Sequence, residues 1–110
     1  MENSNIETQI SFRFNRLDKM QAFTLEREIL GSLREDHVEN NCYVVYVPLT
    51  DKNFDDINDF YVRQRVEIEE CDIFVSVSAD SGINTFEIPL IVNRMLKYID
   101  CKLTFSFTVV

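Results

Sequence analysis

Cys101-Lys102-Leu103-Thr104-Phe105-Ser106-Phe107-Thr108-Val109 alternates apolar and polar side chains without a break. A two-residue period of this kind predicts a strand with one face buried and the other wet. Upstream of it, Leu90, Ile91, Met95, Leu96 and Ile99 recur at helical spacing, and Pro89 stands at the first helical position, where its missing N–H costs nothing. The other end of the chain carries the same two patterns. Ile6, Thr8, Ile10, Phe12 and Phe14 alternate with Glu7, Gln9, Ser11 and Arg13, a second half-buried strand. Asn15 is then placed to cap a helix whose stripe is Leu17, Met20, Phe23, Ile29, Leu30 and Leu33, with Gly31 close to its end.

Between these ends lie two more strands. Cys42-Tyr43-Val44-Val45-Tyr46-Val47 is rich in β-formers on both parities and is closed by Pro48. Ile73, Val75, Val77 and Ala79 alternate with Phe74, Ser76 and Ser78, and Asp80-Ser81-Gly82 supplies a turn. Beyond the turn we expect a short returning strand through Ile88; Asn84 and Glu87 also form a capping-box-like pair. The stretch Asp51 to Arg65 has helical spacing at Phe54, Ile57 and Tyr61, while Val62 to Ile68 reads as either helix or extended chain. The order strand, helix, strand, insert, strand, helix, strand predicts an α+β fold in a single domain over residues 1–110. Its plan is a βαββαβ-like, ferredoxin-like sheet with helices packed on one face and an acidic insert between strands 2 and 3. The open side of that sheet would collect Ser11, Arg13, Ser76, Ser78, Thr104, Ser106 and Thr108, with no exposed aromatics to stack bases.

The 110 residues include 19 acidic and 11 basic side chains, a net charge of −8. From Glu35 to Asp72 there are 11 acids against three bases, Lys52, Arg63 and Arg65, so the whole net charge lies in that stretch and the remainder is neutral in sum. A charge of this sign argues against a nucleic-acid partner, because phosphate contacts rest on Lys and Arg. No apolar run reaches the roughly 18 residues of a membrane span, and the polar start Met1-Glu2-Asn3-Ser4-Asn5 does not read as a signal peptide, so we expect a cytoplasmic protein without membrane contact.

Chemistry-bearing motifs are sparse. Cys42, Cys71 and Cys101 lie far apart in the chain, in odd number, and read as reduced structural thiols. The single histidine, His37, sits among acids and has no matching nucleophile motif. Asp51-Lys52-Asn53-Phe54-Asp55 opens like a calcium loop. The match fails at Asp56, where a glycine is required, and at Val62, where a bidentate Glu is required. Gly31 and Gly82 are the only glycines, too few for a phosphate-cradling loop. The expectation is a binding protein, not an enzyme, with no cofactor or metal. Its surface would be Asp51, Asp55, Asp56, Asp59, Glu67, Glu69, Glu70 and Asp72 around the aromatic anchors Phe60 and Tyr61. Carboxylates give speed and selectivity toward a basic protein partner, and aromatics supply hot-spot energy.

A small, acidic α+β domain without a catalytic motif resembles the immunity proteins of bacterial toxin–immunity systems, including contact-dependent growth inhibition. The ending Ile73–Ser78, Asp80-Ser81-Gly82, Pro89–Ile99 and Lys102–Val109 is also similar to the last third of an uncharacterised bacterial domain family found near such toxins. The resemblance implies a complex with a basic cognate toxin domain, often a nuclease, whose active site is covered or flanked. Two alternatives stay open: a phage-type inhibitor or DNA mimic acting on a defence nuclease, and a ligand-sensing dimeric module of ferredoxin-like topology.

Overall fold

The computed structural model describes residues 6–35, 41–80 and 85–109. The turn at Ser81-Gly82, the Asn84 half of the capping pair, and Asp36, His37 and Glu39 lie outside them. Among the described residues the chain forms β1 (Ile6–Leu17), α1 (Lys19–Glu28), β2 (Leu33–Arg34), β3 (Tyr43–Pro48), α2 (Phe54–Arg63), a 3-10 turn (Ile68–Glu70), β4 (Cys71–Ala79), α3 (Leu90–Tyr98) and β5 (Lys102–Val109). The strands make one mixed sheet in the order β2-β3-β1-β4-β5.

β1 lies at the centre and is antiparallel to both neighbours, with Phe12 opposite Val47 on one side and Ile73 on the other. Its strict alternation breaks at a register shift between Phe14 and Leu17. The extra residue of a bulge returns Leu17 to the buried face after Phe12 and Phe14, which parity alone would have assigned to Arg16. The strand therefore runs past the expected cap at Asn15. The N-cap of α1 is Asp18, whose carboxylate accepts from the Gln21 N–H at 2.7 Å while Gln21 Oε1 accepts from the Asp18 N–H at 3.0 Å. Gly31 follows the helix at φ +91°, and a Cβ there would stand 3.3 Å from Pro48 Cγ.

The central pair of a ferredoxin-like sheet, its first and third major strands side by side and antiparallel, is present as β1 and β4. The outer strands are exchanged: β3 lies beside β1, and β5 lies beside β4, so the order is not the ferredoxin-like one. The cause is β2, whose Leu33 the sequence pattern assigns to the stripe of the first helix. Helix α1 carries the chain back along β1, β2 runs parallel to β1, and β3 turns against β2 to come out antiparallel to β1. β3 and β4 then flank β1 in the same direction. Chain that leaves one and enters the other must cross the sheet, which takes a helical connection. α2 supplies that crossover, and α3 does the same for the parallel pair β4–β5. The expected returning strand through Ile88 is absent; residues 85–89 have no regular structure and Pro89 is the N-cap of α3.

One face of the sheet and the three helices share a single core containing Phe12, Phe14, Leu25, Val45, Ile57, Phe60, Ile73 and Met95. Helix α2 occupies the middle of the helical layer. It meets α1 through Arg63, which holds the Glu28 carboxylate at 2.6 and 2.9 Å, and meets α3 through Phe54, whose ring lies 5.3 Å from that of Tyr98. Among the described residues no helix is long and apolar enough to cross a membrane.

Candidate functional site

The acidic insert is a helix with two chemically opposed sides. Phe54, Ile57 and Phe60 fall at i, i+3 and i+6 and are buried, whereas Asp55, Asp56 and Asp59 point outward. Asn53 at the N-cap makes no side-chain cap bond, and Asp55 and Asp56 sit in the first turn, where the positive end of the helix dipole favours them. The helix closes on a Schellman arrangement. Arg65 takes a left-handed φ of 54°, its N–H bonds to the Val62 carbonyl at 3.1 Å, and the Val66 N–H reaches back to Tyr61 at 3.1 Å. Chain released from that turn runs outward through Glu67, Glu69 and Glu70 before β4 begins.

This geometry divides the expected binding residues into two groups, one at each end of α2, a helix about 15 Å long by its rise. Asp51, Asp55 and Asp56 lie at its start, Asp59 lies midway, and Glu67, Glu69 and Glu70 lie beyond its end. All are exposed except Glu70, which is half-buried. Some are already matched by basic side chains: Asp51 by Arg94 at 2.8 Å, Asp59 by Arg63 at 3.2 Å and Glu70 by Arg16 at 3.9 Å. Asp55, Asp56, Glu67 and Glu69 have no ion-pair partner among the described residues. Beside the first group, an open groove of about 410 Å³ runs between the end of α1 and the start of α2. Ile29, Leu30 and Pro48 form its apolar wall, and Glu28 and Asp56 supply carboxylates, with Lys52 also on its lining.

Two expected contact residues face inward. Phe60 is fully enclosed, its ring 5.2 Å from that of Phe14, so it is a core residue and not a surface anchor. Asp72 is 5% exposed and committed to neighbours within the fold. Tyr61 is half-buried; burial, reinforced by the nearby carboxylates Glu67 and Glu69, raises its phenol above the ordinary value. Of the two proposed aromatic anchors it alone has a surface to offer, next to the second acidic group.

Asp72 belongs to a cluster on the open side of the sheet. Its carboxylate accepts from Arg13 Nε at 2.8 Å, from Thr104 Oγ1 at 2.7 Å and from Asn15 Nδ2 at 3.3 Å, and Arg13 closes a bidentate pair through Nη2. Burial pushes this carboxyl up, but the donated hydrogen bonds outweigh it and hold the group below the usual carboxylate value. The Arg13 guanidinium lies 4.3 Å from the Phe74 ring centre and 5.8 Å from that of Tyr46. The open face thus does carry aromatics, and its own arginine stacks on them. The signal was present in the parity of the strands: Asp72 and Phe74 share a side with Ser76 and Ser78, and Asp72 pairs directly with Arg13 across β1 and β4.

The register of β4 and β5 also brings together two cysteines that are distant in sequence. Cys71 and Cys101 immediately adjoin the Asp72–Lys102 pair; the neighbouring Cys101 side chain, joined by burial, pushes the Cys71 thiol up, while Cys71 in turn holds the Cys101 thiol down. A thiol held protonated in this way is a poor nucleophile. Among the described residues no group of three or more His, Cys, Asp or Glu is arranged to hold a metal ion. No family model matches this chain, and neither the curated proteins nor the solved structures give a match. Among the described residues the fold and its surface define an α+β domain with three helices on one face of a mixed five-stranded sheet and carboxylates without ion-pair partners toward both ends of the central helix.

Proposed function

We propose that this domain is a protein-binding inhibitor of the immunity type, which docks a basic toxin domain, a nuclease by preference, against the outer side of α2. The observation that carries this reading is the set of four exposed carboxylates, Asp55, Asp56, Glu67 and Glu69, that have no cationic partner among the described residues. Their counterparts at Asp51, Asp59, Glu70 and Asp72 are all paired. Unpaired surface charge of one sign raises the encounter rate with an oppositely charged protein and fixes its orientation. Carboxylates at both ends of a helix about 15 Å long suit a cationic cleft meant for two or more phosphates along a nucleic-acid strand. Tyr61 at one end and the groove beside Asp56 at the other provide apolar footholds. In this role the domain acts by occupying a surface and performs no chemistry of its own.

The test is titration calorimetry against the product of the adjoining gene, since an immunity gene accompanies that of its toxin. Replacing Asp55→Asn, Asp56→Asn, Glu67→Gln and Glu69→Gln together is expected to weaken binding at least about tenfold and to flatten its dependence on salt. Unchanged affinity and an unchanged salt slope in the folded quadruple variant would remove the electrostatic basis of the proposal.

A further inference from the structure

The two edges of the sheet are built differently. One is β2, only Leu33–Arg34, and short charged edges of this kind discourage further strand pairing. The other is β5, eight residues paired to β4 in unbroken register on one side, with its opposite backbone edge unpaired among the described residues. β5 has no proline and no bulge, and Lys102 at its start is its single charge. Its apolar row belongs to the helix-covered side of the sheet, since Leu103, Phe105, Phe107 and Val109 continue the rows of Ile73, Val75, Val77 and Ala79. The helical layer does not reach far enough to cover it. Phe105, Phe107 and Val109 remain 51%, 48% and 57% exposed, while Ile73, Val75, Val77 and Ala79 are at most 2% exposed. Phe86 touches the ring of Phe105 at 6.2 Å from one side and leaves the outer side open.

We infer that β5 pairs with β5 of a second copy of this chain, antiparallel about a two-fold axis at Ser106, joining two sheets into one of ten strands. Two arguments select a second copy as the occupant. First, the pattern is self-complementary. An axis at Ser106 sets Phe105 opposite the partner's Phe107 twice over and Leu103 opposite the partner's Val109 twice over. Apolar then meets apolar on one face, and Thr104 meets Thr108 on the other. A shift by a single residue would set apolar against polar along the whole edge. Second, the charge is in the right place. The net −8 resides in residues 35–72, and β5 carries only Lys102, so two copies can join here while their acidic surfaces stay apart. A basic partner would find no carboxylate on this strand. The contact is isologous and closes on itself, which ends assembly at two.

Sedimentation of the full chain at tens of micromolar is expected to give twice the 13.0 kDa chain mass, with self-association strengthened by added salt as repulsion between the copies is screened. Phe107→Lys, at a half-exposed position, is expected to weaken association at least about tenfold while the circular dichroism and melting profile stay native. Ser106→Cys places its thiol beside its own copy and should give an oxidised covalent dimer on a non-reducing gel beyond that of the parent chain; Thr108→Cys, which faces Thr104 of the partner subunit, should not. A monomer at all these concentrations, a dimer indifferent to Phe107→Lys, or equal cross-linking by the two cysteine variants would overturn the inference. Binding of a basic protein is weakened by salt and this contact is strengthened by it, so the two proposals fail separately.

Discussion

Asp59 and Phe60 are adjacent in the chain, yet Phe60 is fully enclosed against Phe14 while Asp59 stands in solvent beside Arg63. The same contrast separates Asp55 from Phe54, and Asp72 from Glu69. Side-chain chemistry alone does not decide which acids of this segment are free to meet a partner. Helical phase decides it within α2, where an inner row of Phe54, Ile57 and Phe60 alternates with an outer row of aspartates. Strand parity decides it for Asp72, which stands opposite Arg13. An insert that is uniformly acidic in composition is therefore two structures back to back: a ceiling for the core and a charged exterior.

The sharpest way to break that comparison is Phe60→Ala. Removing a fully buried ring from between α2 and β1 is expected to cost about 3–5 kcal/mol in denaturant unfolding. Asp59→Ala next door, which loses an exposed contact to Arg63 within one helix turn, should cost about 0.5 kcal/mol or less. Similar losses for the two would mean that α2 does not pack as described. Asp72→Asn comes second, at about 1–3 kcal/mol near neutral pH, because Arg13 keeps its burial and loses its charged acceptor. The pH dependence follows from the direction of the shift. Native Asp72 holds its proton more weakly than the unfolded chain, whose ordinary value is 3.8. Its contribution is complete above about pH 4 and is lost as pH falls through the lower native value. The stability gap between wild type and Asp72→Asn should thus narrow in acid, and a gap constant from neutral pH down to about pH 2 would show that the native carboxylate is not the charged partner of Arg13. The smallest effect belongs to the exterior. Asp55→Asn with Asp56→Asn should lower stability by only about 0.3–1 kcal/mol each, the part due to the helix dipole. The effect on partner binding should be much larger.

The strands and helices with long, regular periods were legible in the sequence: the alternations of Ile6–Phe14, Ile73–Ala79 and Cys101–Val109, and the stripe through Met95 and Ile99. Each covers enough residues for one face to declare itself. Three features were not legible. β2 is two residues long and has no period. The bulge that buries Leu17 is a break in alternation, which looks the same as the end of a strand. The exchanged outer strands depend on the direction in which β3 enters the sheet, which the Leu33–Arg34 hairpin sets and no local pattern records. In the candidate site, Asp55, Asp56 and Asp59 are exposed, whereas Asp72, expected on the same surface, is buried. Phe60 was misplaced because the helical stripe was read through Phe54, Ile57 and Tyr61; the true stripe advances by three residues at the second step, leaving Tyr61 at its margin. The Arg13–Asp72 cluster was hidden because its members are up to 91 positions apart and meet only through register.

The placement of β1 at the centre of the sheet governs how this chain comes into being on the ribosome. Synthesis delivers Phe12 and Phe14 well before the strand that completes their pairing, β4, which spans Cys71–Ala79, with Ile6 opposite Ala79. Every contact between these two strands closes a loop of more than fifty residues, and contacts so distant in sequence form late and slowly. Until β4 has been made, the central strand of the sheet has no second edge to rest on. Interval and composition together make the nascent N-terminal segment, and not the finished domain, the form most in need of a chaperone.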